Sequence, residues 1–279
     1  MAHEDRGLAA PIIQVKNLCS RYGGRTVLHE IRFDIPAGKV TVIMGVSGCG
    51  KSTLLRHLIG LKPTAPGSLF VEGSDVGLFR AEQWQAYRKR IGVLFQGGAL
   101  FSSLSVRDNL AVSLRVHTRL AESTIRIITD IKLHQVGLTE FADFMPSQLS
   151  GGMRKRAGLA RAMVMDPEIL FVDEPSSGLD PITAAGLDEL LVELKHAMGM
   201  TLVVVTHELE SAFRIADQIV VMDAGRIIAA GTPQAVRSSE DIRVRQFLER
   251  RADVLAVDQE RYEKRLAAIG SKKRGAPPV

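Results

Sequence analysis

With 279 residues, 46% of them hydrophobic and 24% charged, the chain can bury a sizeable core and is neither low-complexity nor broadly disordered. Its apolar runs, such as Leu202–Val205 and Ile219–Met222, fall far short of the roughly 18 residues of a membrane-spanning helix, and Met1–Ala10 lacks a signal-peptide core, so neither a span nor export is expected. The net charge of +5 is mild and gathers toward Glu240–Val279, where a solvated tail or anionic lipid headgroups account for it, and no nucleic-acid partner is expected.

Beyond the first ten residues, Ile12–Leu18 alternates apolar and polar side chains, and Val27–Ile35 and Lys39–Met44 are rich in β-branched residues, so all three read as strands. Lys51–Ile59 has helical spacing and stops at Gly60, with Pro63 and Pro66 enforcing the break; Ser68–Glu72 is a short strand. Ala81–Leu138 turns mostly helical, interrupted by the strand-like Ile91–Phe95 and the turn-rich Gln96–Ser105. A helix over Arg154–Val164 precedes a strand at Ile169–Val172, a helix at Ile182–Ala197, a strand at Thr201–Val205, another helix and two short strands around Ala224-Gly225. Ile242–Ile269 can be written as one helix with Phe247, Leu248, Leu255, Leu266 and Ile269 along a side. Alternating strands and helices predict a mostly parallel sheet with covered faces, and the strand-rich start predicts an antiparallel flap against it. Cys19 and Cys49 read as thiols of a reducing compartment.

The third strand runs straight into Gly45-Val-Ser-Gly-Cys-Gly-Lys-Ser-Thr53, a phosphate loop. Gly45, Ser47, Gly48, Cys49 and Gly50 let the backbone wrap a triphosphate, Lys51 neutralises its oxygens, and Ser52, followed by Thr53, can ligate Mg²⁺. Kinases, GTPases and motor ATPases share that loop, but the Asn-Lys-x-Asp segment of a GTPase is missing. A thiol at a helix start beside Lys51 is expected to be acidic, so Cys49 should be open to alkylation and shielded by ATP. Asp173 and Glu174 close an apolar strand; the first suits a Mg²⁺ shell, and the second can face an attacking water. His207 follows a strand, where an imidazole can reach a phosphate or hold that water, and Tyr22 before Gly23-Gly24 either stacks on adenine or packs in the core. Leu149-Ser-Gly-Gly-Met153 opens a helix whose free N–H groups can hold an anion, which looks like half of a phosphate clamp serving a second copy.

In this order the segments resemble the ATP-binding cassette (ABC) ATPases from about Ile12 to about Leu248. The resemblance implies an α/β fold: a P-loop ABC ATPase core at 11–238 with a mostly parallel sheet, an N-terminal antiparallel β subdomain and an α-helical signature subdomain near 81–164. A tail at 1–10 and a helical, basic extension at 239–279 flank it. It implies ATP and Mg²⁺ as cofactors, with Ser52, Gln96 and Asp173 at the metal. Glu174, His207, Lys51 and Gln96 become the catalytic group, and Ser150, Gly151, Gly152 and Asp180 meet the nucleotide of a second copy.

Phe95–Val106, Met153 and Glu174–Pro181 look like the Mla/Mce-type ATPases of bacterial lipid transport, since many amino-acid or metal importers carry Gln where Met153 stands. That likeness implies a peripheral protein on the cytoplasmic face of the inner membrane, with permease subunits and an Mce-domain lipid-binding protein as partners and phospholipid as cargo. An importer for another cargo and a non-transport ATPase are the rival readings. After Phe247 the chain departs from that group, with Glu249-Arg-Arg-Ala replacing a glycine-containing segment.

Overall fold

A computed structural model describes residues 11–251. The chain opens with a hairpin of β1 (Pro11–Tyr22) and β2 (Arg25–Pro36), paired antiparallel and turned at Gly23-Gly24. Next come β3 (Val40–Gly45), α1 (Lys51–Leu58) and the short strands β4 (Leu69–Val71) and β5 (Ser74–Asp75). α2 (Ala81–Lys89) and β6 (Ile91–Leu94) lead to a helical stretch of α3 (Val106–His117), α4 (Glu122–Gln135) and α5 (Gly151–Met163). Then β7 (Ile169–Asp173), α6 (Pro181–Met198), β8 (Thr201–Thr206) and α7 (Leu209–Ile215) alternate. The end is built from β9 (Gln218–Asp223), β10 (Arg226–Gly231), α8 (Pro233–Arg237) and α9 (Ile242–Leu248).

Two sheets result. The smaller runs β2-β1-β4-β5 and is antiparallel; the larger runs β10-β9-β3-β8-β7-β6, parallel except for β10. β3 and β8 are buried along their whole length because both faces are covered, and the period of two sorts their side chains. Val40, Val42, Met44, Leu170, Val172, Leu202 and Val204 enter a core shared with α3 to α7. Ile43, Ile169, Phe171, Val203 and Val205 point the other way, into a core closed by α1 and the antiparallel sheet. One residue of register slip would exchange the two sets, so the pairing is strongly specified.

Departures from the sequence reading have local causes. The strand expected at Ser68–Glu72 shrinks to three residues because Glu72 and Gly73 both take positive φ and turn into β5. α5 starts at Gly151 rather than Arg154, since Ser150 caps it and accepts from the Met153 N–H at 3.2 Å. The helix expected across Ile242–Ile269 ends at Leu248: Arg250 takes φ 52° and the N–H of Arg251 returns to the Gln246 carbonyl. The remainder of that expected helix lies outside the described residues.

The turn-rich Gln96–Ser105 segment is pinned by a residue the sequence reading passed over. Asn109, fully buried on α3, accepts from the Phe101 N–H at 2.7 Å and presents its amide nitrogen to the carbonyls of Phe101, Leu104 and Ser105 at 2.9–3.1 Å. Asn109→Ala strands these backbone groups, so it is expected to cost about 1 to 3 kcal/mol in urea unfolding, with the m-value unchanged.

Candidate functional site

The site grows from the C-terminal ends of three adjacent strands. Register pairs Met44 with Thr206 and Val205 with Asp173, so β3, β8 and β7 finish side by side. From β3 the chain enters the phosphate loop, where Gly50 caps α1 at φ 111°, a conformation open in practice to glycine. The buried Lys51 ammonium donates to the carbonyls of Gly45 at 2.8 Å and Val46 at 3.1 Å, which holds it across the mouth of the loop.

An open cleft of about 740 Å³ collects the loop residues Gly45, Ser47, Gly48, Gly50, Lys51, Ser52 and Thr53 with Gln96, Glu174 and His207, side chains that lie far apart in sequence. Val27, Glu208, Phe247 and Arg250 also line it, residues to which sequence reasoning had given no place at the site. Glu174 has already left the strand, at φ 48°, so the expected opposition of neighbours on a strand is replaced by a turn that aims its carboxylate at β8. Its Oε2 lies 2.8 Å from His207 Nδ1 and 3.4 Å from Thr206 Oγ1, while its N–H donates to the Val205 carbonyl at 2.8 Å. Gln96 donates through Nε2 to Ser177 Oγ at 3.2 Å.

Asp173 sits half-buried beside this pair, and its Oδ1 is shut away from solvent without a hydrogen-bond partner. Burial chiefly, then the charge of Glu174, lifts its pKa, with Lys51, Arg56 and Lys155 opposing. An orphaned carboxylate oxygen near a phosphate loop is the donor type that Mg²⁺ takes. Among the described residues there is no group of three or more His, Cys, Asp or Glu side chains suited to a metal.

Other expected residues stand apart from the cleft. Tyr22 is 51% exposed; Lys62 Nζ lies 3.8 Å from its ring centroid and Arg56 donates to its hydroxyl at 3.2 Å, so one face is already taken by a cation. Lys62 also donates to Ser20 Oγ at 2.6 Å, and Ser20 meets the buried His57, whose pKa burial lowers to about 4. Ser150, Gly151, Gly152 and Asp180 are not among the residues that line the cleft. Asp180 caps α6 by accepting from the Ile182 and Thr183 N–H groups at 3.1 and 3.0 Å, and a Cβ on Gly152 would come within 2.7 Å of Thr183 Cγ2.

Cys49 is a correction. Its side chain is 4% exposed and packs under the loop, where a Cβ on Gly45 would come within 2.9 Å of its sulfur, and it is not among the residues that line the cleft. Burial raises the thiol pKa and Lys51 offsets this only in part, so the expected acidic, alkylatable thiol is replaced by an inert core sulfur. Maleimide at pH 7 is therefore expected to label the exposed Cys19 to completion while Cys49 stays unmodified with or without ATP, as read by peptide mass spectrometry.

Comparison with known proteins gives the family. The ABC transporter family pattern matches residues 28–177. The intermembrane phospholipid transport system ATP-binding protein MlaF of Haemophilus influenzae is 41% identical over 242 residues, covering 87% of this chain and 92% of that protein. The "Probable ribonucleotide transport ATP-binding protein mkl" of Mycobacterium leprae is 40% identical over 256 residues, 91% of this chain and 74% of its own. Among solved structures, the dimeric ATP-binding cassette MJ0796 with ADP and Pi superposes with a TM-score of 0.72 at 28% identity, over 79% of this chain and 98% of that one. The chain belongs to the ABC transporter family, and it spans nearly the full length of its Haemophilus relative.

Proposed function

We propose that this chain is the ATP-hydrolysing subunit of a bacterial transporter that moves phospholipid between the inner membrane and the envelope, working as a pair of identical cassettes docked on permease subunits. The observation that carries the catalytic part is the Glu174–His207 hydrogen bond of 2.8 Å facing the phosphate loop in one cleft, while Ser150–Gly152 lie outside that cleft on their own chain. A helix start with free N–H groups is of use to an anion only if another copy brings one to it. The dimeric cassette among the similar structures supports the same pairing.

In this reading the loop backbone and Lys51 grip the β and γ phosphates from one side, and Ser150 and Gly152 of the other copy close the cage, with Asp180 beside them. Tyr22 carries the base on its remaining face. Ser52, Gln96 and Asp173 would hold Mg²⁺, which when bound neutralises charge on the phosphate oxygens. Glu174 takes the proton of the attacking water, a contribution on the order of 10² to 10⁴-fold, and His207 fixes its carboxylate and the water for in-line attack. Phosphate release then removes the charge that held the copies together. Among the described residues no helix is long and apolar enough to cross a membrane, so the motion must be passed to membrane partners, through the Gln96–Ser105 turn.

Phospholipid as cargo rests on the likeness to the Haemophilus protein, together with the Phe95–Val106 segment and Met153. The mycobacterial relative carries a different cargo in its name, which keeps a nucleotide-type cargo as the second reading. Purification of the intact complex from membranes, with mass spectrometry of its subunits and extracted lipid, decides between them. A small permease, an Mce-domain protein and bound phospholipid are expected; a periplasmic solute receptor in their place overturns the cargo.

Glu174→Gln is expected to bind ATP with native affinity, lose turnover by about 100-fold or more and accumulate a dimer in size-exclusion chromatography; native turnover sinks the base assignment. For Asp173 the sign follows from its raised pKa: the ionised carboxylate costs stability that grows as pH rises from the unfolded carboxylate range through the folded pKa. Asp173→Asn removes that cost at pH 7. Its Tm without nucleotide is expected to hold or rise, while the extra stabilisation that Mg²⁺ adds to ATP disappears in differential scanning fluorimetry.

A further inference from the structure

Lys155, in the second turn of α5, is a lysine in an unusual place: 7% exposed, with its ammonium donated to two backbone carbonyls rather than to a carboxylate. A buried ammonium is costly unless it is paired, and burial pulls this one's pKa down against the charges of Glu174 and Asp173. Its acceptors are the carbonyl of Gln96, which opens the partner-facing turn, and the carbonyl of Glu174, at 3.0 Å.

The same side of α5 holds the rest of that turn. Gly158 lies so close to it that a Cβ would come within 2.9 Å of the Gly98 carbonyl oxygen. Arg161 donates to the Ala99 carbonyl and sets its guanidinium 5.4 Å from the Phe101 ring centroid. Positions 155, 158 and 161 recur at three-residue intervals and so share a helix face. Gln96–Phe101 is thereby bound to α5 at three successive points, and α5 and the turn form one body.

We propose that Lys155 is a positioning residue, the contact through which this body sets the catalytic carboxylate of Glu174. Glu174 needs outside support, since its left-handed backbone at φ 48° is one a non-glycine residue holds only when its surroundings impose it. Of that support, the N–H is tied to β8, and the carbonyl accepts from the Lys155 ammonium at 3.0 Å and from the Ser177 N–H of its own turn at 3.3 Å, so Lys155 is the part that comes from outside that turn. A displacement of the turn by a membrane partner moves α5, and the ammonium carries it to the main chain of the base. Because α5 also begins with Ser150–Gly152, the same displacement reaches the nucleotide of the other copy. The inference rests on the assignment of Glu174 as base.

The test uses the full chain assembled with its membrane subunits, comparing Lys155→Met, Lys155→Arg and Glu174→Gln with the native protein. Lys155→Met is expected to lower kcat at least tenfold, with KM for ATP, the affinity for a fluorescent ATP analogue and the circular dichroism spectrum unchanged within twofold. Lys155→Arg, which keeps N–H donors at the site, is expected to regain most of kcat. Lys155→Met turning over at the native rate overturns the proposal, as does a loss of kcat and nucleotide affinity together that Arg does not rescue. Glu174→Gln separates the two ideas: native turnover in that variant defeats the base assignment, whereas its arrest beside a fully active Lys155→Met defeats the positioning role alone.

Discussion

The constraint on which the rest depends is the parallel pairing of β3, β8 and β7. Parallel neighbours in register must end at the same edge of a sheet, and a strand buried on both faces leaves its ends as the place for polar chemistry. Gly45, Thr206 and Asp173 occupy those three ends, so a phosphate-binding turn, an imidazole and two acids emerge together. The strand order places β8 between the other two, which is why His207 falls beside Glu174 with the loop on its far side.

Around this edge, main-chain carbonyls are taken by long or amide side chains. Lys51 serves Gly45 and Val46, Lys155 serves Gln96 and Glu174, Arg161 serves Ala99, and Asn109 serves Phe101 and Leu104. Irregular backbone near a core leaves acceptors that neither helix nor sheet satisfies, and each must find a donor. Here the donors come from the helices α1, α3 and α5. The turns of the site are consequently mounted on helices rather than hanging free in solvent.

Much of this was legible in the sequence, and what was not has physical reasons. The phosphate loop, the acid pair and the serine-glycine helix start are contiguous patterns, whose spacing alone limits what they can be. The strands were readable because β-branched runs have few alternatives, though β4 ended early where Glu72 took left-handed backbone, as the last helix did before Arg250. The cleft's joining of Gln96, Glu174 and His207 required strand order, which no local pattern contains. Lys155 and Asn109 were invisible because their partners are backbone atoms, and a carbonyl has no signature in a sequence. Cys49 was misjudged for the converse reason: its neighbour Lys51 could be read directly, but the burial that outweighs it could not.

The polar knot beneath the hairpin has a separate consequence. His57 is held uncharged between Ser20 and Thr64, and it keeps that state down to about pH 4. As the surroundings acidify toward that value the imidazole therefore does not switch, and the packing around Ser20 and Thr64 keeps its shape. The toll appears in thermodynamics instead: as pH falls below the ordinary histidine range, the unfolded chain takes up a proton that the folded chain refuses, and resistance to unfolding erodes while the architecture stays the same.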